Sequence, residues 1–249
     1  SFSSSPVGEW KDKIDAYLDA LIKELKALGR MAGERKPDTV YVGGGTPTTL
    51  EAGQLDRLLG TIRNCFDLSE LKEFTVEAGR PDSITREKLE VIRRYPVTRI
   101  SVNPQTMQQK TLDLVGRKHT VEDVERIFHM ARELGFDNIN MDLIAGLPWE
   151  DLESFKKSFN DVYEMEPEQL QLGFLKVLKG SYMEELIPTC DLLYSAAPPY
   201  EVLCTKWLSY GDVLELKDIE EMTEVHYNSR QFTCTLKELE KEFDTPYEM

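Results

Sequence analysis

The chain has 249 residues, 41% of them hydrophobic, a net charge of −15 and a pI near 4.8. That length suits one large α/β domain, or a domain with a small appendage, with enough apolar content for a sizeable core. The acidity and the lack of a basic stripe exclude nucleic acid as the main partner, and no apolar run is long enough to span a bilayer.

A strand–helix alternation dominates the pattern. Residues 10–30 place Ile14, Tyr17, Leu18, Leu21, Ile22, Leu25 and Leu28 on one helical stripe, with Gly29 as the stop. Thr39 to Val42 reads as a short buried strand that runs into Gly43-Gly44-Gly45. A second helix carries Leu55, Leu58, Leu59, Ile62 and Phe66 on one face. Phe74 to Val76 is the next strand, ending at Glu77. Thr85 caps a helix with Leu89 and Ile92 that Pro96 terminates.

Arg99 to Val102 forms another strand, followed by Asn103-Pro104-Gln105. The next helix opens at Thr120, with Asp123 as a capping-box partner, and Gly135 closes it. Ile139 to Ala145 is a strand, Gly146-Leu147-Pro148 turns into a helix, and Leu170 to Leu178 is the last clear strand. Beyond it Pro188, Pro198 and Pro199 punctuate a loop, and residues 200–243 read as helical, polar and peripheral.

Strands joined through helices are parallel, with right-handed crossovers. Both a barrel and an open doubly wound sheet fit that alternation. The strand ends favour the barrel, because the glycine run, Glu77, Gln105, Asp142 and Lys176 place polar groups after successive strands.

Gly43-Gly44-Gly45-Thr46-Pro47-Thr48 is neither a P-loop nor a dinucleotide fingerprint. It fits a tight strand-to-helix turn, and equally a close backbone approach to a ligand with a carboxylate and an ammonium. The four cysteines, Cys65, Cys190, Cys204 and Cys234, show no ligand-like spacing, and the three histidines form no metal motif.

The run Tyr41-Val-Gly-Gly-Gly-Thr-Pro-Thr48, with Glu77, Gln105, Arg117 and Asn140-Met-Asp-Leu-Ile-Ala-Gly-Leu-Pro148, resembles the radical S-adenosylmethionine (SAM) core of oxygen-independent coproporphyrinogen III oxidases. Phe74 to Ser83 and Ser101 to Met107 resemble its coproporphyrinogen dehydrogenase branch, and the likeness covers roughly residues 1–150. The resemblance implies SAM contacts at Gly44, Gly45 and Thr46, then at Glu77, Gln105, Arg117 and Asp142, and more weakly at Lys176. It implies no catalytic residue that can be named here.

The family's 4Fe–4S cluster is held by CxxxCxxC, which this chain lacks. Ser1-Phe2-Ser3-Ser4 resembles the segment directly after the third cysteine of that motif, so the expectation is a barrel without its first strand and cluster loop. From Pro167 onward, Leu170 to Ser181, Pro198 to Leu203 and Lys206 to Tyr210 resemble radical SAM proteins linked to cobalamin-binding domains.

The expected fold is thus α/β, a partial (β/α)6 radical SAM barrel over residues 1–182 with a helical extension over 183–249. The resemblance implies a cytoplasmic oxidoreductase of porphyrin biosynthesis that uses SAM, a 4Fe–4S cluster with ligands outside this chain, and an electron donor. Its implied substrate is a tetrapyrrole, with Arg80, Lys118 and Lys179 as candidate partners for the propionates; no membrane or nucleic-acid partner is expected. A cobalamin-associated enzyme of unknown substrate and a non-catalytic tetrapyrrole binder are the alternatives.

Overall fold

A computed structural model describes the backbone of residues 7–249 and the side chains from residue 13 onward; the likeness of Ser1–Ser4 lies outside the described residues. In chain order the elements are α1 (Val7–Ala32), β1 (Thr39–Val42), α2 (Ala52–Cys65), β2 (Glu73–Gly79), α3 (Arg86–Arg93), β3 (Arg99–Gln105), α4 (Gln109–Leu114) and α5 (Val121–Glu133). Then come β4 (Ile139–Ala145), α6 (Leu152–Tyr163), β5 (Gln169–Phe174), α7 (Tyr182–Cys190), β6 (Leu193–Tyr194), β7 (Val202–Cys204), α8 (Tyr210–Met222) and α9 (Thr233–Leu239). Strands β1 to β5 form a five-stranded sheet in chain order, with helices between them, so the fold class is α/β. No described helix is long and apolar enough to cross a membrane.

Two compact units divide the chain. The first holds residues 2–102 and 126–139. In it β1 pairs parallel with β2, Thr39 opposite Glu73, and β2 pairs with β3 through an irregular register between Val76 and Gly79. Phe74, Thr75, Val76 and Ala78 are all buried, as expected of a strand covered on both faces. Strand β1 differs from the buried strand expected of it: its residues alternate exposed and half-buried, and Tyr41 is 64% exposed. It stands at the end of the sheet order, so its second edge makes no pairing within the described sheet.

Helix α1 departs from its predicted stripe. Leu18 and Ile22 are buried, but Tyr17 and Leu28 are exposed, and the helix passes Gly29 to end at Ala32 before the left-handed Gly33. Gly29 serves packing instead. A β-carbon there would lie 2.6 Å from the Cys65 carbonyl oxygen at the end of α2, so the two helices approach as closely as a missing side chain allows. Asp15 and Asp19 on α1 also engage Gln54 and Arg57 on α2.

The second unit holds residues 103–125 and 140–249. In it β4 and β5 pair parallel from Asn140–Gln169 to Ala145–Phe174. Strand β5 ends four residues before the Leu178 expected: Leu175 N–H still donates to Ala145 O of β4, but Leu175 O accepts from Val202 N–H and Val177 N–H donates to Tyr200 O. The C-terminal segment is less peripheral than its composition suggests. Leu208, Val213 and Leu216 are buried, and β6 and β7 form an antiparallel pair. A π-helix over Thr223–Asn228 brings the Asn228 side-chain amide against β5, where it donates to Leu170 O at 3.0 Å and accepts from Leu170 N at 2.9 Å. Arg230 donates to Pro167 O and Glu168 O beside it. These side chains occupy backbone groups that an edge strand otherwise presents to a partner.

Candidate functional site

The glycine run is built differently at each position. At Gly43 a β-carbon would overlap the Tyr41 ring and come within 2.8 Å of Glu77 Oε2, so a side chain there requires both to move. Gly44 has φ 102°, in the left-handed half of backbone space that residues with a β-carbon avoid. A β-carbon on Gly45 would meet nothing within 4 Å, which leaves that backbone open. The Gly44 N–H donates to Glu77 Oε2 at 3.2 Å, so the turn after β1 and the carboxylate of β2 meet. Partial burial, followed by the charge and hydrogen bond of Glu77, raises the Tyr41 phenol above its ordinary pKa.

Support for this turn comes from residues that the sequence did not single out. Thr48 is fully buried; its hydroxyl donates to Ala78 O at 2.5 Å and pairs with Ser83 Oγ at 2.6 Å. Lys88 on α3 reaches across to donate to Thr48 O at 2.7 Å and Ser83 O at 3.1 Å. Partial burial holds its ammonium below the usual lysine value, against the nearby carboxylates of Glu51 and Glu87. Thr46 packs its methyl 3.5 Å from where a Gly79 β-carbon would stand. Thr48 closes the glycine-rich run, but nothing in the run marks its hydroxyl as a support, and no local motif marks Lys88.

The remaining predicted SAM contacts lie in the second unit. Gln105 is the last residue of β3 and has φ 65°. Arg117 is half-buried just after α4, its backbone N–H bonded to Leu112 O at 2.8 Å. Asp142 is not at a strand end as expected: it is the fourth residue of β4, half-buried between buried Met141 and Leu143. Lys176 is exposed two residues past β5, in a bridge with Glu201. Arg80, offered as a substrate contact, is already paired with Asp82 at 3.3 Å.

The donor set bears on cofactors. Backbone N–H and C=O groups at Gly44 and Gly45, with a carboxylate alongside, match the ammonium, carboxylate and hydroxyls that SAM carries. A 4Fe–4S cluster is not matched, because no group of three His, Cys, Asp or Glu among the described residues is arranged to hold a metal. An apolar cavity of about 560 Å³, lined in part by Phe159, Tyr163, His226, Phe232 and Tyr247, lies in the C-terminal segment by the last residues of α6.

Comparison with known proteins gives this geometry a context. The family model described as the radical SAM superfamily matches residues 8–162, and one described as a protein of unknown function, DUF4080, matches residues 189–249. The oxygen-independent coproporphyrinogen-III oxidase-like protein HemZ of Bacillus subtilis is 41% identical over 174 residues, covering 69% of this chain and 35% of that protein. The heme chaperone HemW of the same organism is 34% identical over 205 residues, covering 80% of this chain and 53% of its own. The chain thus spans about a third to a half of these relatives. Among solved structures, the Escherichia coli coproporphyrinogen III oxidase HemN superposes with a TM-score of 0.67 at 28% identity, covering 86% of this chain and 46% of its own. The cobalamin-containing methyltransferase TsrM of Kitasatospora setae, at 17% identity and a TM-score of 0.55, covers 74% of this chain and 37% of its own and shares the fold alone.

Proposed function

The chain belongs to the radical SAM superfamily, and on that premise we propose that it is the SAM-binding part of an enzyme like the oxygen-independent coproporphyrinogen III oxidases. The observation that carries this reading is the meeting of Gly44 N–H with the Glu77 carboxylate beside the open backbone of Gly45. In the proposed site Gly44, Gly45 and Thr46 receive the methionyl end of SAM, and Glu77 accepts from its ammonium or ribose hydroxyls. Gln105, Arg117, Asp142 and Lys176 supply further polar contacts, Arg117 pairing with the SAM carboxylate. SAM bound in this way supplies the radical chemistry of the superfamily, while the chain supplies binding and orientation. The cluster's ligands are assigned to none of the four cysteines. The proposed organisation is a barrel region over residues 1–182 and an extension over 183–249, acting in the cytoplasm on a tetrapyrrole with an external electron donor.

Calorimetric titration with SAM tests the site. Each of Glu77→Ala, Arg117→Ala and Asp142→Ala removes a charge-assisted contact of about 1.5–3 kcal/mol, so each is expected to weaken binding by roughly ten- to a hundredfold. His129→Ala and Cys65→Ala are expected to leave affinity unchanged. Equal affinity in all five variants overturns the assignment.

A second reading, a tetrapyrrole binder that performs no oxidation, is favoured by the 34% identity to a protein named as a heme chaperone. Turnover of coproporphyrinogen by the protein with its cluster-binding segment supports the enzyme; stoichiometric haem binding without turnover supports the carrier.

A further inference from the structure

Among the non-glycine residues of the second unit that occupy left-handed backbone are Gln105 at the end of β3, φ 65°, and Trp149 shortly after β4, φ 66°. Such conformations are unfavourable for these residue types and persist only where neighbouring contacts impose them. The neighbouring contacts here include one to a buried carboxyl. Glu150 is 2% exposed, and Thr106 Oγ1, on a residue 1% exposed, donates to its Oε1 at 2.5 Å. The same threonine oxygen accepts the Gln108 N–H at 3.0 Å, and Met107 N–H donates to Ser158 Oγ on α6 at 3.2 Å. Thr111 on α4 donates to Pro148 O at 3.4 Å. The bond from Thr106 to Glu150 therefore joins the turn after β3 to the turn after β4, one residue from each left-handed position.

We propose that Glu150 is a positioning residue: bonded to Thr106, its carboxyl holds the turn after β3 and with it the backbone conformation of Gln105, a proposed SAM contact. The role of Gln105 in this statement rests on the proposed function above. Oε2 of Glu150 makes no hydrogen bond among the described residues, so an ionised carboxylate is poorly solvated there. Burial accordingly pushes the carboxyl up to about 7; the Thr106 and Thr111 hydroxyls pull it down, and the charge of Asp151 adds to the rise. The charged groups nearby are Asp151, next in the chain, and Lys110 of α4, whose ammonium lies over the Trp149 ring. A neutral side chain that still accepts from Thr106 keeps the clasp closed.

Three variants test this: Glu150→Gln, Glu150→Ala and Thr106→Val. Hydrogen exchange at residues 104–108 reads the clasp itself, and SAM titration reads its consequence. Exchange in Glu150→Ala and Thr106→Val is expected to be roughly tenfold faster, as for loss of one buried hydrogen bond, with Glu150→Gln close to the parent. SAM affinity should follow the same order, falling about tenfold in Glu150→Ala and Thr106→Val. If Glu150→Ala does not fold, the contrast between Thr106→Val and Glu150→Gln carries the test. Protection unchanged in both Thr106→Val and Glu150→Ala overturns the clasp. Altered protection in a protein whose SAM affinity never changes upholds the clasp and overturns the role of Gln105.

Discussion

At the scale of single residues, the buried carboxyl of Glu150 has a consequence for stability that can be signed. Its value in the fold, about 7, lies above the ordinary 4.5, so the neutral form is the one the fold favours. Such a group contributes stability that is fully present below the ordinary value and is lost as pH rises through the folded one. The shift corresponds to about 3 kcal/mol in total, and to about 2 kcal/mol between pH 5.5 and pH 8. Glu150→Gln removes the titration and leaves every other group in place. The stability difference between Glu150→Gln and the parent, measured by urea unfolding, is therefore expected to grow by about 2 kcal/mol in favour of the variant from pH 5.5 to pH 8. A difference that does not vary with pH would mean that Glu150 is already ionised in the fold. Lys88 has the opposite sign: its ammonium, donating to two carbonyls, is held below the ordinary lysine value, so its contribution is lost as pH falls.

At the scale of elements, the contact of α1 with α2 turns on a single missing side chain. Alanine in a helix interior is intrinsically better than glycine by roughly 1 kcal/mol. At Gly29, however, the added methyl meets the Cys65 carbonyl oxygen at 2.6 Å and its β-carbon at 3.0 Å, and backbone yields poorly. Gly29→Ala is expected to destabilise the protein by about 1–3 kcal/mol in thermal or urea unfolding, despite the gain in propensity. Unchanged or raised stability would show that the helices separate at no cost. The sequence marked Gly29 as a helix stop because a glycine after an apolar stripe has that meaning most often; only the neighbouring helix reveals the other meaning. Caps were legible, since they depend on nearby residues: Thr85 accepts from Lys88 N, and Thr120 and Asp123 bond reciprocally as the spacing implied. The six residues of α4 were not, being too few and too polar for a periodic signal. Nor was the exposure of β1, whose valine pair looks the same in an edge strand as in a central one. Gly44 and Glu77 were legible as a pair of sites, whereas Thr106 and Glu150 were not, because no local pattern announces a bond across 44 residues.

At the scale of the whole molecule, the proposed binding site for SAM and a holder for iron and sulfur are separate properties, and no group of three His, Cys, Asp or Glu among the described residues is arranged to hold a metal. A 4Fe–4S cluster requires several thiolates converging on one small volume. Here Cys65 ends α2, Cys190 is buried at the end of α7, Cys204 ends β7, and Cys234 is exposed on α9. Burial, and after it the charge of the adjacent Asp191, raises the Cys190 thiol above its ordinary value, which disfavours the thiolate a cluster needs. The 249-residue polypeptide, reconstituted anaerobically with iron and sulfide, is therefore expected to gain no stoichiometric cluster by absorbance or electron paramagnetic resonance. It is expected to leave SAM uncleaved under reducing conditions. SAM binding itself, read by calorimetry on the same sample, is expected to persist, because the proposed contacts at Gly44, Gly45 and Glu77 are held by the chain's own hydrogen bond between Gly44 N–H and Glu77. A stoichiometric 4Fe–4S signal with SAM cleavage would show that cysteines far apart in sequence converge after all, and loss of SAM binding would show that the glycine turn needs the cluster to form its site.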